Sequence, residues 1–261
     1  MTVPIYKADA FTDTLFEGNP AAVCFLSHWL PEQILQKIAA ENNLAETAFL
    51  VKSSKGYQLK WFTPVCEIDL CGHATLASAH ILYTEIGHRS DKIYFETSKS
   101  GVLTVKREED KYVMDFPSLM PAAVNTPDAL VKAMGGKEPS ETFRLRDYVL
   151  VYKSEDEIRK LDPDFQAITE IDTFGVVVTA PGDRADFVSR FFAPGAGIPE
   201  DPVTGSAHCN LIPLWAKKFG KSKLYAEQIS ARKGKLWCEQ TGDRVSMAGN
   251  VVTYLKGEIS I

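Results

Sequence analysis

Two short segments of the chain repeat one another about half its length apart, and this repetition limits the folds open to it. KWFTP (60–64) matches RFFAP (190–194), each an apolar strand-like run closed by proline. Each leads through a short loop into a helix opening, CGHAT (71–75) in the first half and TGSAH (204–208) in the second. Agreement in order, spacing and local chemistry points to internal duplication: an α+β protein of two similar domains, each with strands around one central helix. The first of those helices is expected from Gly72 to Ile86, ending at Gly87, a suitable C-terminal glycine. Its small residues Ala74, Ala77, Ser78 and Ala79 suit close packing inside a curved sheet.

The remaining patterns fit that plan. Strands are expected at 5–11, 21–26, 46–52, 57–63, 92–97, 101–107 and 111–116. A helix follows Pro31, with Ile34, Leu35 and Ile38 on one face. In the second half strands are expected at 148–152, 174–180, 186–192, 223–230, 234–240, 243–248 and 250–255. Ser154 and Glu157 stand at capping-box spacing. The Pro- and Ala-rich stretch PSLMPAAVNTP (117–127) reads as a linker. The expected domains are therefore 1–117 and 118–261, the last strand being free to cross back. A chain of 261 residues is long enough for both.

Composition narrows the function classes. Hydrophobic residues make up 45% and charged residues 24%, ordinary values for a protein with a full core. A net charge of −5, with no basic stripe interleaved with aromatics, gives no reason to expect nucleic acid. The five cysteines lack CxxC spacing, so neither a disulfide framework nor a zinc knuckle is indicated. The N-terminus has no basic region followed by an apolar run, and no run approaches the ~18 residues of a membrane span. The expectation is a reduced, cytoplasmic protein away from membranes. Neither HxH, HxxxH nor a carboxylate pair at ligand spacing occurs, so no metal is expected. A Walker loop and GxGxxG are absent as well, and no cofactor is expected.

The two helix openings carry the chemical signal. First-turn N–H groups lack intrahelical partners, and the helix dipole adds positive potential there, so such ends hold carboxylates and phosphates. Gly72 and Gly205 leave room for a ligand to approach the backbone. Cys71 and Thr204 take N-cap-like positions, and His73 and Ser206 follow two residues on. Plain capping by Thr204 with a packing glycine is the alternative. Glu46 leads the apolar strand ETAFL, whereas its counterpart near Phe174–Gly175 has no ionisable group. Such a carboxylate is either a solvated strand end or, facing a closed cleft, a general acid/base. Asp201 either favours the helix start electrostatically or joins the chemistry, and His73 is either a satisfied interior histidine or a site residue.

FEGNPAAV (16–23), NNLAETAFL (42–50), EIDLCGHATLASA (67–79) and RFFAPGAGIPEDPVTGSAH (190–208) together resemble the PhzF family of phenazine-biosynthesis-like proteins. The resemblance runs through nearly the whole chain. It implies the diaminopimelate-epimerase fold, two pseudo-symmetric domains with a sheet rolled around a central helix and the active site in the cleft between them. Residue by residue, it implies that Glu46 is the general acid/base. His73, Asp201 and Ser206 are the polar residues around the reacting centre, and Gly72 and Gly205 present N–H groups to a substrate carboxylate. Asn19, in the GNPAAV segment, is placed near the pocket. The resemblance further implies a homodimer and a cofactor-independent isomerase that moves a proton on a small carboxylate-bearing substrate.

Two other functions compete with that one. An amino-acid epimerase or racemase of the related fold resembles a two-cysteine design, but the matching positions here are Cys71 and Thr204, and a threonine hydroxyl is too weak an acid to exchange roles with a thiolate. A binding protein could hold a small carboxylate without turning it over, against which the glutamate stands. Nothing in the sequence fixes the substrate's ring or side chain.

Overall fold

Residues 1–261 of the computed structural model fall into two units. In the first unit, Met1–Asp115 with Met247–Ile261, β1 (Thr2–Ala10) lies antiparallel to β2 (Asn19–Leu26). Helix α1 (Glu32–Asn42) then carries the chain to β3 (Glu46–Lys52), parallel to β2. β4 (Tyr57–Phe62) returns antiparallel, and β5 (Glu67–Ile68) folds back on it. After α2 (Gly72–Thr84), β6 (Lys92–Glu96) pairs parallel with β4. β7 (Val102–Glu108) and β8 (Lys111–Pro117) continue antiparallel.

The second unit, Phe116–Ser246, opens with β9 (Ala122–Ala123), α3 (Asp128–Ala133) and β10 (Glu141–Arg144). It continues through β11 (Tyr148–Val151), α4 (Glu155–Arg159), α5 (Phe165–Thr169), β12 (Val176–Pro181) and β13 (Phe187–Ala193). β14 (Ile198–Asp201), α6 (Gly205–Phe219), β15 (Lys223–Gln228), β16 (Gly234–Thr241) and β17 (Arg244–Gly249) complete it. Its pairings repeat those of the first unit in order. β10 is antiparallel to β11, β11 parallel to β12, β12 antiparallel to β13, and β13 antiparallel to β14. β15, after the helix, is parallel to β13 and antiparallel to β16. KWFTP and RFFAP thus sit on β4 and β13, corresponding strands of one repeated plan.

The final strand, β18 (Val251–Ser260), pairs along β1 from Ala10↔Val251 to Thr2↔Ser260. Residues 247–261 belong to the first unit, where β18 gives the nine residues of β1 a second ladder partner or their only one. Two short helices, α3 and α5, also differ from the sequence expectation. α5 is capped by Asp164, whose carboxylate accepts the Ala167 N–H at 3.0 Å. The 117–127 stretch is partly ordered: β9 lies in it and pairs with β10.

α2 is the centre of its unit. It packs against β1, β2, β3, β7 and β18, and the run His73–Ala79 is buried without interruption. Over that run the helix has no solvated face, so its residues are mostly small or apolar, and its hydroxyls, Thr75 and Ser78, donate to the Cys71 and Ala74 carbonyls within the helix. Leu76 is fully buried there, a burial worth about 1.5–3 kcal/mol. α6 packs against β15 and β16 and contains Pro213. A proline removes the N–H that would bond the carbonyl four residues back. That carbonyl, Cys209 O, instead accepts the Leu119 N–H at 3.0 Å, so the interior proline leaves no buried oxygen unpaired. No helix is long and apolar enough to cross a membrane.

Candidate active site

β3 is buried at six of its seven positions, so the strand carries its first residue, Glu46, into the interior. Glu46 is 8% exposed, and its register partner is Ala21 on β2. α2 opens at Gly72 and sets the residues on either side of it, Cys71 and His73, beside that carboxylate. His73 Nε2 stands 3.0 Å from Glu46 Oε2. Oε2 is buried and has no aligned hydrogen bond, so the contact is a close ion pair and not a well-directed N–H···O bond. Cys71 Sγ lies 3.5 Å from His73 Nδ1 and 4.0 Å from Nε2. One ligand-type atom from each of Glu46, Cys71 and His73 falls within 4.8 Å of the other two.

Burial opposes charge on His73, but the Cys71 sulfur and the Glu46 carboxylate beside it outweigh that, and its pKa lies well above the ordinary histidine value. Burial raises the Cys71 thiol, and Glu46 raises it further, against the opposing pull of His73. The thiol stays protonated, as expected of a packing group and not of a nucleophile. Cys71 occupies the N-cap of α2 in an extended conformation, and its side chain makes no capping hydrogen bond.

Asn19 is fully buried at the start of β2, two residues before the register partner of Glu46. Gly18, just ahead of it, has φ +70°, and a Cβ there would meet Ala10 O at 2.3 Å. Only glycine fits that turn, which accounts for the glycine in the GNPAAV segment.

In the second unit the same local plan carries different chemistry. Thr204 is the N-cap of α6, but its side chain makes no capping bond. Its hydroxyl donates instead to Asp201 Oδ2 at 2.5 Å. The plain capping alternative for Thr204 therefore does not hold. Gln228 on β15 ties the loop down: its Oε1 accepts the Thr204 N–H at 2.8 Å, and its Nε2 donates to Asp201 O at 2.8 Å. Gly205 is half-buried and Ser206 exposed at the helix start. Arg146 reaches the same end, its Nη2 lying 3.4 Å from Ser206 Oγ. It is held by Asp147, with Nε to Oδ1 at 3.0 Å and Nη2 to Oδ2 at 2.8 Å, and it lies over the Phe174 ring at 4.2 Å. His208 is structural: its Nδ1 is 2.8 Å from Thr204 O, and burial lowers its pKa to about 4.

The first unit therefore brings Glu46, Gly72 and His73 together, with Asn19 on the strand next to β3. The second brings together Asp201, Gly205 and Ser206. At the position of the second unit that corresponds to Glu46, the start of β12, stands Val176, which is fully buried and not ionisable. Sequence reasoning missed Cys71 as a neighbour of the pair, and missed Arg146 and Gln228. Arg146 and Gln228 lie far along the chain from TGSAH and belong to no local motif.

The duplicated strand order and the buried carboxylate at a helix opening define a diaminopimelate-epimerase-like protein. A hydroxyproline epimerase of Agrobacterium vitis shares this fold at 10% identity and TM-score 0.61, covering 99% of this chain and 92% of that one. More specifically, the chain belongs to the phenazine biosynthesis-like (PhzC-PhzF) family, whose model matches residues 8–257. An uncharacterized isomerase of Pseudomonas aeruginosa is 48% identical over the full length of both chains. A PhzF-family crystal structure from Enterococcus faecalis superposes at TM-score 0.98 with 45% identity, again covering all of both chains. Relatives named as isomerases over their whole length support an isomerase- or epimerase-type function.

Proposed function

We propose that the protein is a cofactor-independent isomerase that moves a proton on a small carboxylate-bearing substrate, with Glu46 as general acid/base. The observation that supports this most directly is the buried pair of Glu46 and His73, 3.0 Å apart at the opening of α2. A general base must be out of bulk water and close to hydrogen-bond donors, and the buried Glu46 stands beside His73 at the opening of α2. In this reading Glu46 removes a proton from a carbon conjugated to the substrate carboxylate. The charge that develops spreads onto that carboxylate, which the N–H groups at a helix opening stabilise, and Glu46 returns the proton at another carbon. Gly72, at the opening of α2 beside Glu46, serves the carboxylate. Asn19 supports the strand that carries the register partner of Glu46.

Two-base inversion of an amino acid is disfavoured because the helix opening matching Cys71 carries Thr204, whose hydroxyl is committed to Asp201. The decisive experiment is a screen of small carboxylates in deuterated water, read by mass spectrometry and NMR. Isomerised product carrying solvent deuterium at the newly protonated carbon is the expected result, with exchange lost in Glu46→Gln. Inversion of an α-carbon with no migration of unsaturation would replace this reading by the epimerase.

A further inference from the structure

We propose that Glu46, Cys71 and His73 form a binding site for one zinc-class divalent cation, which occupies the proton-transfer centre and switches it off. The sequence gives no hint of it, because metal-ligand spacing is sought along the chain and Glu46 lies on a strand far upstream of Cys71 and His73. The fold closes that distance. A carboxylate oxygen, an imidazole nitrogen and a thiol sulfur, all on buried residues, lie within 4.8 Å of one another. The mixture of one sulfur, one nitrogen and one oxygen is a donor set that zinc and cobalt accept and that magnesium or calcium does not.

The distances are close to those of a coordination shell. With zinc at about 2.0–2.2 Å from nitrogen and oxygen and about 2.3 Å from sulfur, tetrahedral ligand atoms stand about 3.3–3.6 Å apart. Here His73 Nε2 is 3.0 Å from Glu46 Oε2 and 4.0 Å from Cys71 Sγ, values on either side of that range. Cys71 Sγ lies nearer Nδ1, at 3.5 Å, so the imidazole has to turn before one nitrogen faces both other ligand atoms. Glu46 Oε2 is buried, and His73 Nε2 approaches it at 3.0 Å without an aligned hydrogen bond, which leaves an oxygen lone pair for a cation once the imidazole is neutral.

Charge also balances. On binding, the thiol proton of Cys71 and the imidazolium proton of His73 leave to solvent, and the two-plus cation is met by one thiolate and one carboxylate. The occupied site is neutral, which a buried group of three ligands requires. The fourth position is left for water or for a substrate carboxylate. Binding itself follows from the geometry; its effect on turnover rests on the proposed role of Glu46, since a carboxylate bound to the cation no longer takes a proton.

Cobalt titration of the full chain tests the site directly. One Co²⁺ per chain is expected, with a thiolate-to-cobalt band in the near ultraviolet and visible bands of tetrahedral strength, displaced by one equivalent of Zn²⁺. Cys71→Ser should abolish the thiolate band, Glu46→Gln should weaken binding at least tenfold, and Cys66→Ser, which removes the exposed thiol, should leave both unchanged. A band that survives Cys71→Ser, or disappears with Cys66→Ser, overturns the site. Because the Cys71 variant could fold poorly, X-ray absorption on zinc-loaded wild-type protein gives a second reading: one sulfur near 2.3 Å is expected, and none refutes it. If the cobalt band is present but zinc leaves turnover untouched, the switch is refuted along with the use of Glu46 as the base, while the cation site stands.

Discussion

His73 Nε2 and Glu46 Oε2 stand 3.0 Å apart, with the two side chains only 8% and 10% exposed. One residue comes from the start of a strand and the other from the first turn of a helix, and only the wrapping of that sheet around α2 makes them neighbours. Their consequences can be measured.

Glu46→Gln keeps the size and hydrogen-bonding shape of the side chain while removing its proton affinity. Turnover is expected to fall by about 10²–10⁴-fold or more, with ligand affinity and thermal midpoint close to wild type. Steady-state kinetics together with calorimetric binding of a carboxylate ligand check this, and near wild-type turnover would remove Glu46 from the mechanism.

The raised pKa of His73 sets an alkaline limit. Its folded value lies above the unfolded one, so the stability it contributes is complete below about pH 6.5 and is lost as pH climbs through the folded value. Activity should decline over the same alkaline limb, as the imidazolium beside Glu46 is discharged. In His73→Asn that limb should disappear from the pH–rate profile. A profile unchanged in shape would show that the histidine only fills space.

Cys71 touches His73, yet its thiol is held protonated by burial. Cys71→Ala is expected to reduce turnover by no more than about tenfold, equivalent to about 1.4 kcal/mol in the barrier. Loss as large as that of Glu46→Gln, accompanied by α-carbon inversion, would favour the two-base epimerase.

Arg146 lies at the opening of α6 beside Ser206, with its guanidinium fixed by Asp147 and laid over Phe174. Arg146→Ala is expected to raise KM for a carboxylate substrate by about tenfold or less while leaving kcat unchanged, the effect being limited by solvent and by the Asp147 pairing. Arg146→Lys should not restore it, since an ammonium lacks the planar fork. A change in kcat alone would refute a binding role.

Two buried histidines govern the acid side. Burial lowers both His80 and His208 to about 4, so below about pH 6.5 the unfolded chain takes up protons that the folded chain refuses. Stability should therefore fall as pH drops from about 6.5 towards 4. Urea titrations across that range should show a shallower decline in His80→Asn than in wild type, and equal slopes would show that His80 takes no part.

The sequence alone determined the duplicated plan, because strand patterns, proline-closed segments and glycine-led helix openings are local signals with local causes. It also marked Glu46, Gly72, His73, Asp201, Gly205 and Ser206, each of which stands in or beside a recognisable short motif. Tertiary structure alone decided which of these side chains touch and what charge they carry. The 3.0 Å pairing of Glu46 with His73, the diversion of Thr204 from capping to Asp201, and the arrival of Arg146 and Gln228 at the second helix opening all depend on strand register and sheet curvature. Register likewise fixed the pairing of β18 along β1, where the sequence left the last strand only free to cross back. Burial completes the division: an imidazole and a thiol have ordinary proton affinities in a sequence, and acquire shifted ones only when the fold removes water and sets them beside other charged groups.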